Sequence, residues 1–338
     1  MAISNDLLSS TLYSIRDGEV DELFQKVAFL DNAKRYGGIE YEDGGIKIQR
    51  PLSIAEHSQI TNLPTGYEAV NLAVKDVLQP AIYEWADFTA PIVITKKEEL
   101  ENKGEKAIVK IVEARMRSVM GMLRRELNKQ LLRGNSTVLT TVNTLNGDVA
   151  GGFLEAESKA NQNNTVGGIS KTTYPVNGWL NQVADIGGNF GTNGILGMQQ
   201  MAIQANTVTH MGEIQCVLLS ESAMANYRRA LFAQERYINE KTLDGGRMQL
   251  AFGGAVVEQD LELGFAYNSA DFGNAPLSGY FLNFDGVKLC MHKDADFAVS
   301  PFEHISGTTA RAAQLYVKMQ LIADHLGSCG VLFDGDTF

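Results

Sequence analysis

Residues 85–133 read WADFTAPIVITKKEELENKGEKAIVKIVEARMRSVMGMLRRELNKQLLR, and the change of period inside them decides the architecture. Up to Thr95 the pattern is a strand, Pro91-Ile92-Val93-Ile94-Thr95, whose proline keeps it out of the middle of a sheet. Thr95-Lys96-Lys97-Glu98 then has the form of a capping box, with Thr at the N-cap and Glu at N3. Beyond it Ile108, Val112, Met116, Val119, Leu123, Leu127 and Leu131 recur at steps of three and four, one apolar stripe on a helix. Gly134-Asn135 stops the pattern. The spacing predicts one helix over 98–133, about 54 Å long at ~1.5 Å per residue. Gly104 is its weak point, costing roughly 1 kcal/mol relative to Ala.

Upstream, the period is different. Val20, Leu23, Phe24, Val27 and Leu30 recur at helical spacing until Gly37-Gly38. The polar stretch before them cannot form a core alone, so residues 1–38 read as an arm. Ile39 and Tyr41 alternate with polar residues, Asp43-Gly44-Gly45 supplies a turn, and Ile46 and Ile48 alternate again. Pro51, Pro64, Pro80 and Pro91 follow. Such a segment is a long extended loop with strand-like legs, and it needs another surface to lie on. Its exposed edges are candidates for strand addition to a neighbour.

Downstream, residues 134–197 hold 12 Gly and 10 Asn and read as loops and turns. A second domain starts near Pro175 and Trp179. Helices are expected over Ile195–Ala205 and, opened by Ser220, over Glu221–Ala233. Strands are expected at Cys216–Ser220, Gln249–Phe252, Ala255–Val257, Gly279–Phe284, Val287–His292, Ala313–Ile322 and Cys329–Phe333. Helices and strands in separate blocks indicate an α+β fold.

Composition narrows the function. The chain has 338 residues, enough for about two domains of ~100–200 residues. It carries 29 Lys and Arg against 40 Asp and Glu, a net charge of −11, the wrong sign for a protein whose main task is gripping phosphates. No apolar run is long enough to span a membrane, and the first residues have no signal-peptide pattern. Cys216, Cys290 and Cys329 lie apart in apolar runs and read as buried reduced thiols. His57, His210, His292, His304 and His325 are equally scattered, and no His or Cys pair has metal-ligand spacing.

The remaining chemistry is thin. Gly187–Gly194 leads into a helix but lacks the Lys-Ser/Thr of a P-loop and the G-x-G-x-x-G spacing, so it reads as a turn. Lys106, Lys110, Arg117, Arg124 and Arg125 form a basic helix face, read as solvated or paired with acidic neighbours. The pairs Glu258/Asp260 and Asp294/Asp296 have no His beside them, and Ser220 and Ser222 sit in no nucleophile elbow. Surface or capping roles are expected for all of them.

An N-terminal arm, an extended loop, one long helix, an α+β domain and a returning strand, in this order, resemble the major capsid proteins of tailed bacteriophages, the Hong Kong-97 type of capsid fold. The resemblance rests on Trp85, on Phe88-Thr89-Ala90-Pro91-Ile92-Val93-Ile94, and on Glu98, Asn102 and Gly104 of the helix. Further along it rests on Cys216–Ser220 with Tyr227-Arg228, Gly253-Gly254, Val257 through Asp260, and Tyr280-Phe281-Leu282-Asn283.

The resemblance implies a division into N-terminal arm (1–38), extended loop and flanking strands (39–94), peripheral domain with the spine helix (95–174), axial domain (175–310) and a C-terminal return to the peripheral domain (311–338). It implies a structural protein and no enzyme: a major capsid protein that assembles itself, as hexamers and pentamers, into an icosahedral shell around viral double-stranded DNA. No catalytic, cofactor-binding or metal-binding residue is implied, and no cofactor. Scaffolding, portal and decoration proteins are the further partners, packaged DNA is contacted weakly, and no membrane is involved. The expected location is the virion capsid, assembled in the host cytoplasm. With no charged helical block ahead of the arm, separate scaffolding or none is expected, and no N-terminal maturation cleavage. Lys47 is a formal candidate for a Lys–Asn cross-link, but no motif selects it. The alternatives are an encapsulin-like shell around protein cargo, a cytosolic α/β nucleotide-dependent enzyme using Gly187–Gly194, and a tail or tube component.

Overall fold

The computed structural model describes residues 27–53, 66, 77–101, 105–133, 138–142, 145, 165–171, 179–186, 190–209, 213–233, 241–242, 248–260, 263 and 277–333. Most of the arm, Pro64, Pro175 and Gly187–Asn189 lie outside them. The described helices are α1 (Ala28–Arg35), α2 (Lys96–Glu101), α3 (Glu105–Arg133), α4 (Phe190–Thr209) and α5 (Glu221–Ala233).

Two sheets organise the chain. The first has six strands: β1 (Ile39–Glu42), β4 (Ala86–Thr95), β13 (Val287–His292), β14 (Ala298–Val299), β15 (Glu303–His304) and β16 (Ala310–Ala323). The long β16 is its axis, with β13, β14 and β15 along one side and β4 antiparallel along the other, from Ala86↔Met319 to Thr95↔Ala310. Phe88, Ala90, Ile92, Ala313, Leu315, Val317 and Met319 share the core side of these two strands. On the other side Lys318 pairs with Asp87 at 3.7 Å and the Tyr316 hydroxyl donates to Asp87 at 2.7 Å. This period of two is the alternation visible in the sequence.

The second sheet has seven strands in the order β7 (Gln182–Asp185), β17 (Gly330–Phe333), β12 (Leu277–Leu282), β8 (Cys216–Leu219), β11 (Ala255–Gln259), β10 (Met248–Phe252) and β9 (Lys241–Thr242). Its central strands are buried on both faces. Val217, Leu219, Phe281 and Leu332 pack under α4 and α5, while Cys216, Leu218, Tyr280, Leu282 and Val331 join the main core with α1 and α3. Continuous apolar runs such as Cys216–Leu219 follow from that double burial.

The helical stripe is present, with changes. The capping box forms: Glu98 Oε2 accepts from Thr95 N at 3.0 Å and from Thr95 Oγ1 at 2.9 Å, and Thr95 Oγ1 accepts from Glu98 N at 3.5 Å. These bonds, from the backbone first and then the hydroxyl, hold the Glu98 carboxyl below its ordinary range. Helix is described over Lys96–Glu101 (α2) and Glu105–Arg133 (α3); residues 102–104, with the expected weak point Gly104, lie outside the described residues. Helix α3 has 29 residues, about 43 Å at ~1.5 Å each. Val112, Met116, Met120, Leu123, Leu127 and Leu131 form its buried stripe, and Val119 lies at its margin.

Two expectations change. The turn at Asp43–Gly45 does not fold β1 back on the next strand; β1 runs parallel to β13 instead. Helix α4 starts at Phe190, so the second half of the glycine cluster is helical. A Cβ on Gly194 would lie 2.6 Å from the Phe190 ring, which explains a glycine inside that first turn. Near the C-terminal end, β16 lies in the six-stranded sheet and β17 in the seven-stranded one. Likewise, within 175–310, β13, β14 and β15 belong to the six-stranded sheet.

Candidate assembly surfaces

Two two-stranded ribbons stand outside both sheets. β2 (Lys47–Ser53) and β3 (Leu78–Glu84) form an antiparallel ribbon, from Lys47↔Glu84 to Ser53↔Leu78. One face packs on the core through Ile48, Leu52, Ala81 and Tyr83. The other face carries Lys47 and Glu84, Gln49 and Ile82, Pro51 and Pro80, Ser53 and Leu78, all exposed. Leu78 is 63% exposed, and Ile46, at the foot of β2, is 93% exposed. The outer face thus mixes exposed Ile82, Leu78, Pro51 and Pro80 with the Lys47–Glu84 pair, Gln49 and Ser53.

The ribbon's edges are largely closed. The Ile82 N–H donates to Gly167 O at 2.8 Å, so it points away from β2. Gln49↔Ile82 is therefore a non-hydrogen-bonded pair, and two residues on Pro51↔Pro80 is another. Both prolines consequently lack an N–H at the outer edges, which opposes simple strand addition there. The same logic holds in β4. Gln314, opposite Pro91, donates its N–H to Ser300 Oγ at 2.8 Å, so the missing Pro91 N–H faces the free side of the sheet. At these positions the edges lack the N–H that strand addition would use.

The foot of the ribbon is held firmly. Trp85 Nε1 donates to Gly45 O at 3.0 Å, and Lys293 pairs with Asp43 at 2.5 Å. Arg50 pairs with Glu40 and with Glu42, the latter at 3.6 Å, and Lys288 bridges Glu40 at 3.8 Å and Asp324 at 3.4 Å. The Tyr83 hydroxyl donates to Ala323 O and accepts from Ala323 N, both at 3.2 Å. Burial pushes that phenol far above its ordinary value. Buried Gln320 is saturated: its amide donates to Glu84 O and Val138 O, and its carbonyl accepts from Thr140 N and Leu321 N. The hairpin β5 (Thr165–Val166) to β6 (Ile169–Ser170) props the ribbon from the side, its own turn at Gly167-Gly168. Behind it Trp179 Nε1 donates to Ile169 O at 3.2 Å, and the buried Lys171 ammonium donates to Leu145 O at 2.7 Å and Asn181 Oδ1 at 2.9 Å.

The candidates from sequence have structural places. Asp260 is buried rather than at the surface, and Glu258 is half-buried: Asn32 of α1 donates to Glu258 at 3.0 Å, and Asn128 of α3 donates to both oxygens of Asp260. The strand end thus ties two helices to the seven-stranded sheet. Ser220 caps α5, accepting from Ala223 N at 3.4 Å, with Ser222 Oγ at 3.2 Å. His292 Nδ1 accepts from Asp294 N at 3.1 Å, closing a turn. Lys47 pairs with Glu84 at 2.8 Å across the ribbon, which lowers the Glu84 carboxyl. Arg117 and Arg125 are exposed on α3 and Arg124 is half-buried; the side chains of Lys106 and Lys110 lie outside the described residues. Cys216, Cys290 and Cys329 are buried free thiols; burial pushes Cys290 up to about 12 and Cys329 up to about 11. Among the described residues no cluster of His, Cys, Asp and Glu has the arrangement of a metal site.

The whole arrangement matches solved structures of shells. The capsid asymmetric unit of cyanophage A-1(L) superimposes with a TM-score of 0.60 over 90% of this chain and 92% of its own, at 15% sequence identity. The capsid of an empty GTA particle gives 0.57 over 90% of each chain at 8% identity. The holo encapsulin complex of Synechococcus elongatus gives 0.53 over 87% of this chain and 83% of its own, at 8% identity. No protein-family model and no curated protein sequence matches the chain. The fold is the Hong Kong-97 type of tailed-phage capsid proteins, α+β as expected.

Proposed function

We propose that this chain is the major subunit of a protein shell, in which copies join as hexamers and pentamers into an icosahedral capsid around viral double-stranded DNA. The ribbon β2–β3 is the observation that carries the reading. Its outer face leaves Leu78, Ile82, Pro51 and Pro80 exposed in one chain, its edges are capped by prolines, and its foot is fixed by ion pairs and buried bonds. A surface so positioned and so little covered gains from burial on a neighbour. Closed symmetry satisfies every copy at once.

In this reading the role is structural and no chemistry is performed. Residues 1–38 are the arm, the ribbon with the residues between its strands is the extended loop, and α3 is the spine helix. The six-stranded sheet with α3 supports the peripheral domain, and the seven-stranded sheet with α4 and α5 supports the axial domain. Scaffolding, portal and decoration proteins are its further partners, and the virion its location. The acidic chain holds packaged DNA loosely.

The test is direct. Replacing Leu78 and Ile82 together by Asp touches only exposed positions, so the subunit folds, but assembly fails. Normal particles from this variant would contradict the reading. An encapsulin-like shell is the second reading, favoured by the match to an encapsulin. Nucleic acid in particles recovered from the native source selects the capsid, and enzyme cargo selects the compartment.

A further inference from the structure

Helix α4 differs from every other described helix in one respect: Phe190–Thr209 contains no Asp, Glu, Lys or Arg in 20 residues. The whole chain is 20% charged, so a helix of this length would ordinarily carry about four. The inner face of α4 needs none, because Phe190, Met198, Met201 and Ala205 pack on the seven-stranded sheet, and Gly197 lets it settle against Leu332. The outer face is a different matter. Leu196 is 56% exposed and Ile203 is 65% exposed, and Gln199 and Gln200 lie between them.

Its neighbour serves as a control. Helix α5 covers the same face of the same sheet, sharing the core of Met198, Met201, Met224 and Tyr227. Its exposed side carries Glu221, Arg228 and Arg229, as a solvated helix does. Two helices with the same support thus present opposite outer surfaces, one charged and one bare.

We propose that the outer face of α4, centred on Leu196 and Gln200, packs against a second copy of this chain. The inference rests on the shell reading above and adds to it a contact surface separate from the ribbon. Charge identifies the occupant. Copies with a net charge of −11 repel each other, and the core of a contact between them is best left uncharged. A basic or acidic partner would instead be met by complementary side chains, and α4 has none to offer.

The experiment uses the full chain carrying Leu196→Cys. The three native thiols are buried, so a small maleimide reports on the introduced one. Labelling should be about tenfold or more slower in assembled particles than in dissociated subunits. Two further variants, Leu196→Glu and Leu196→Lys, should both fold, shown by unchanged circular dichroism, and both lose assembly, since either charge would be buried in the contact without a partner. Equal labelling in the two states, or normal assembly of either charged variant, would overturn the proposal. If the unmodified chain stays a monomer, the shell reading itself fails, and this contact with it.

Discussion

The side-chain amide of Asn128 donates to both carboxylate oxygens of Asp260, at 2.9 and 3.1 Å, joining the long helix α3 to the end of strand β11. Both residues are buried. A carboxylate out of water depends on its donors, so this contact fixes the helix against the second sheet.

Replacing Asn128 by Ala removes two bonds from a buried carboxylate and should lower stability by about 1–3 kcal/mol. Asn128→Asp places two carboxylates together and should destabilise further at pH 7, with the difference between the variants shrinking towards pH 4. Denaturant unfolding of the two variants against the wild type checks both. An unchanged midpoint for Asn128→Ala would mean that Asp260 is held by other partners.

The capping box predicts a local effect. Thr95→Ala should cost about 1 kcal/mol. The Glu98 carboxyl is lowered in the folded chain by the Thr95 bonds, so its contribution is present above the unfolded value and is lost as pH falls through the lower folded value. In Thr95→Ala the Glu98 titration should move back up towards the ordinary carboxylate range, read by NMR.

His325 gives a pH dependence of the same sense. Burial lowers its pKa, and Nδ1 is buried without a hydrogen-bond partner. It sits where the chain crosses from β16 to β17, its N–H donating to Gly286 O at 3.1 Å. The unfolded chain takes up the proton first, so this stability is full above the unfolded histidine value and is lost as pH falls below it. Thermal midpoints between pH 7.5 and 5 should fall less for His325→Gln than for the wild type.

Gly167 tests the prop beside the ribbon. Its φ is +57°, and a Cβ there would meet Ala81 Cβ at 2.8 Å. Gly167→Ala should cost about 1–3 kcal/mol locally. Because Ile82 N–H bonds Gly167 O, amide exchange at Ile82 should accelerate while exchange at Leu218 in the second sheet stays slow. Unchanged exchange at Ile82 would remove the hairpin from the account.

Much of the fold was legible because local chemistry and tertiary structure agree. Thr95 to Glu98 caps a helix by itself, Val112 to Leu131 needs only period, and Val287–His292 is bounded by its turns. What was hidden depends on distant partners. Parallel pairing of β1 with β13 joins residues about 250 positions apart, and nothing near Ile39 announces Leu289. Gly44 and Gly45 announced a turn but not the partner of the strand before it. Glu258 and Asp260 looked like simple surface carboxylates because Asn32 and Asn128, which bind them, come from elsewhere in the chain. Lys171 looked like any lysine, and only the fold brings Leu145 O and Asn181 to it. Of the assembly surfaces, the prolines of the ribbon were visible, but their outward-facing edges needed the register.

The most direct measurement is sedimentation velocity of the purified full-length chain, with electron microscopy of whatever sediments fastest, across protein concentration and ionic strength. The account predicts closed particles of uniform size showing five-fold and six-fold clusters of subunits. A single monomeric boundary under every condition, with a scaffold supplied or without, would contradict it.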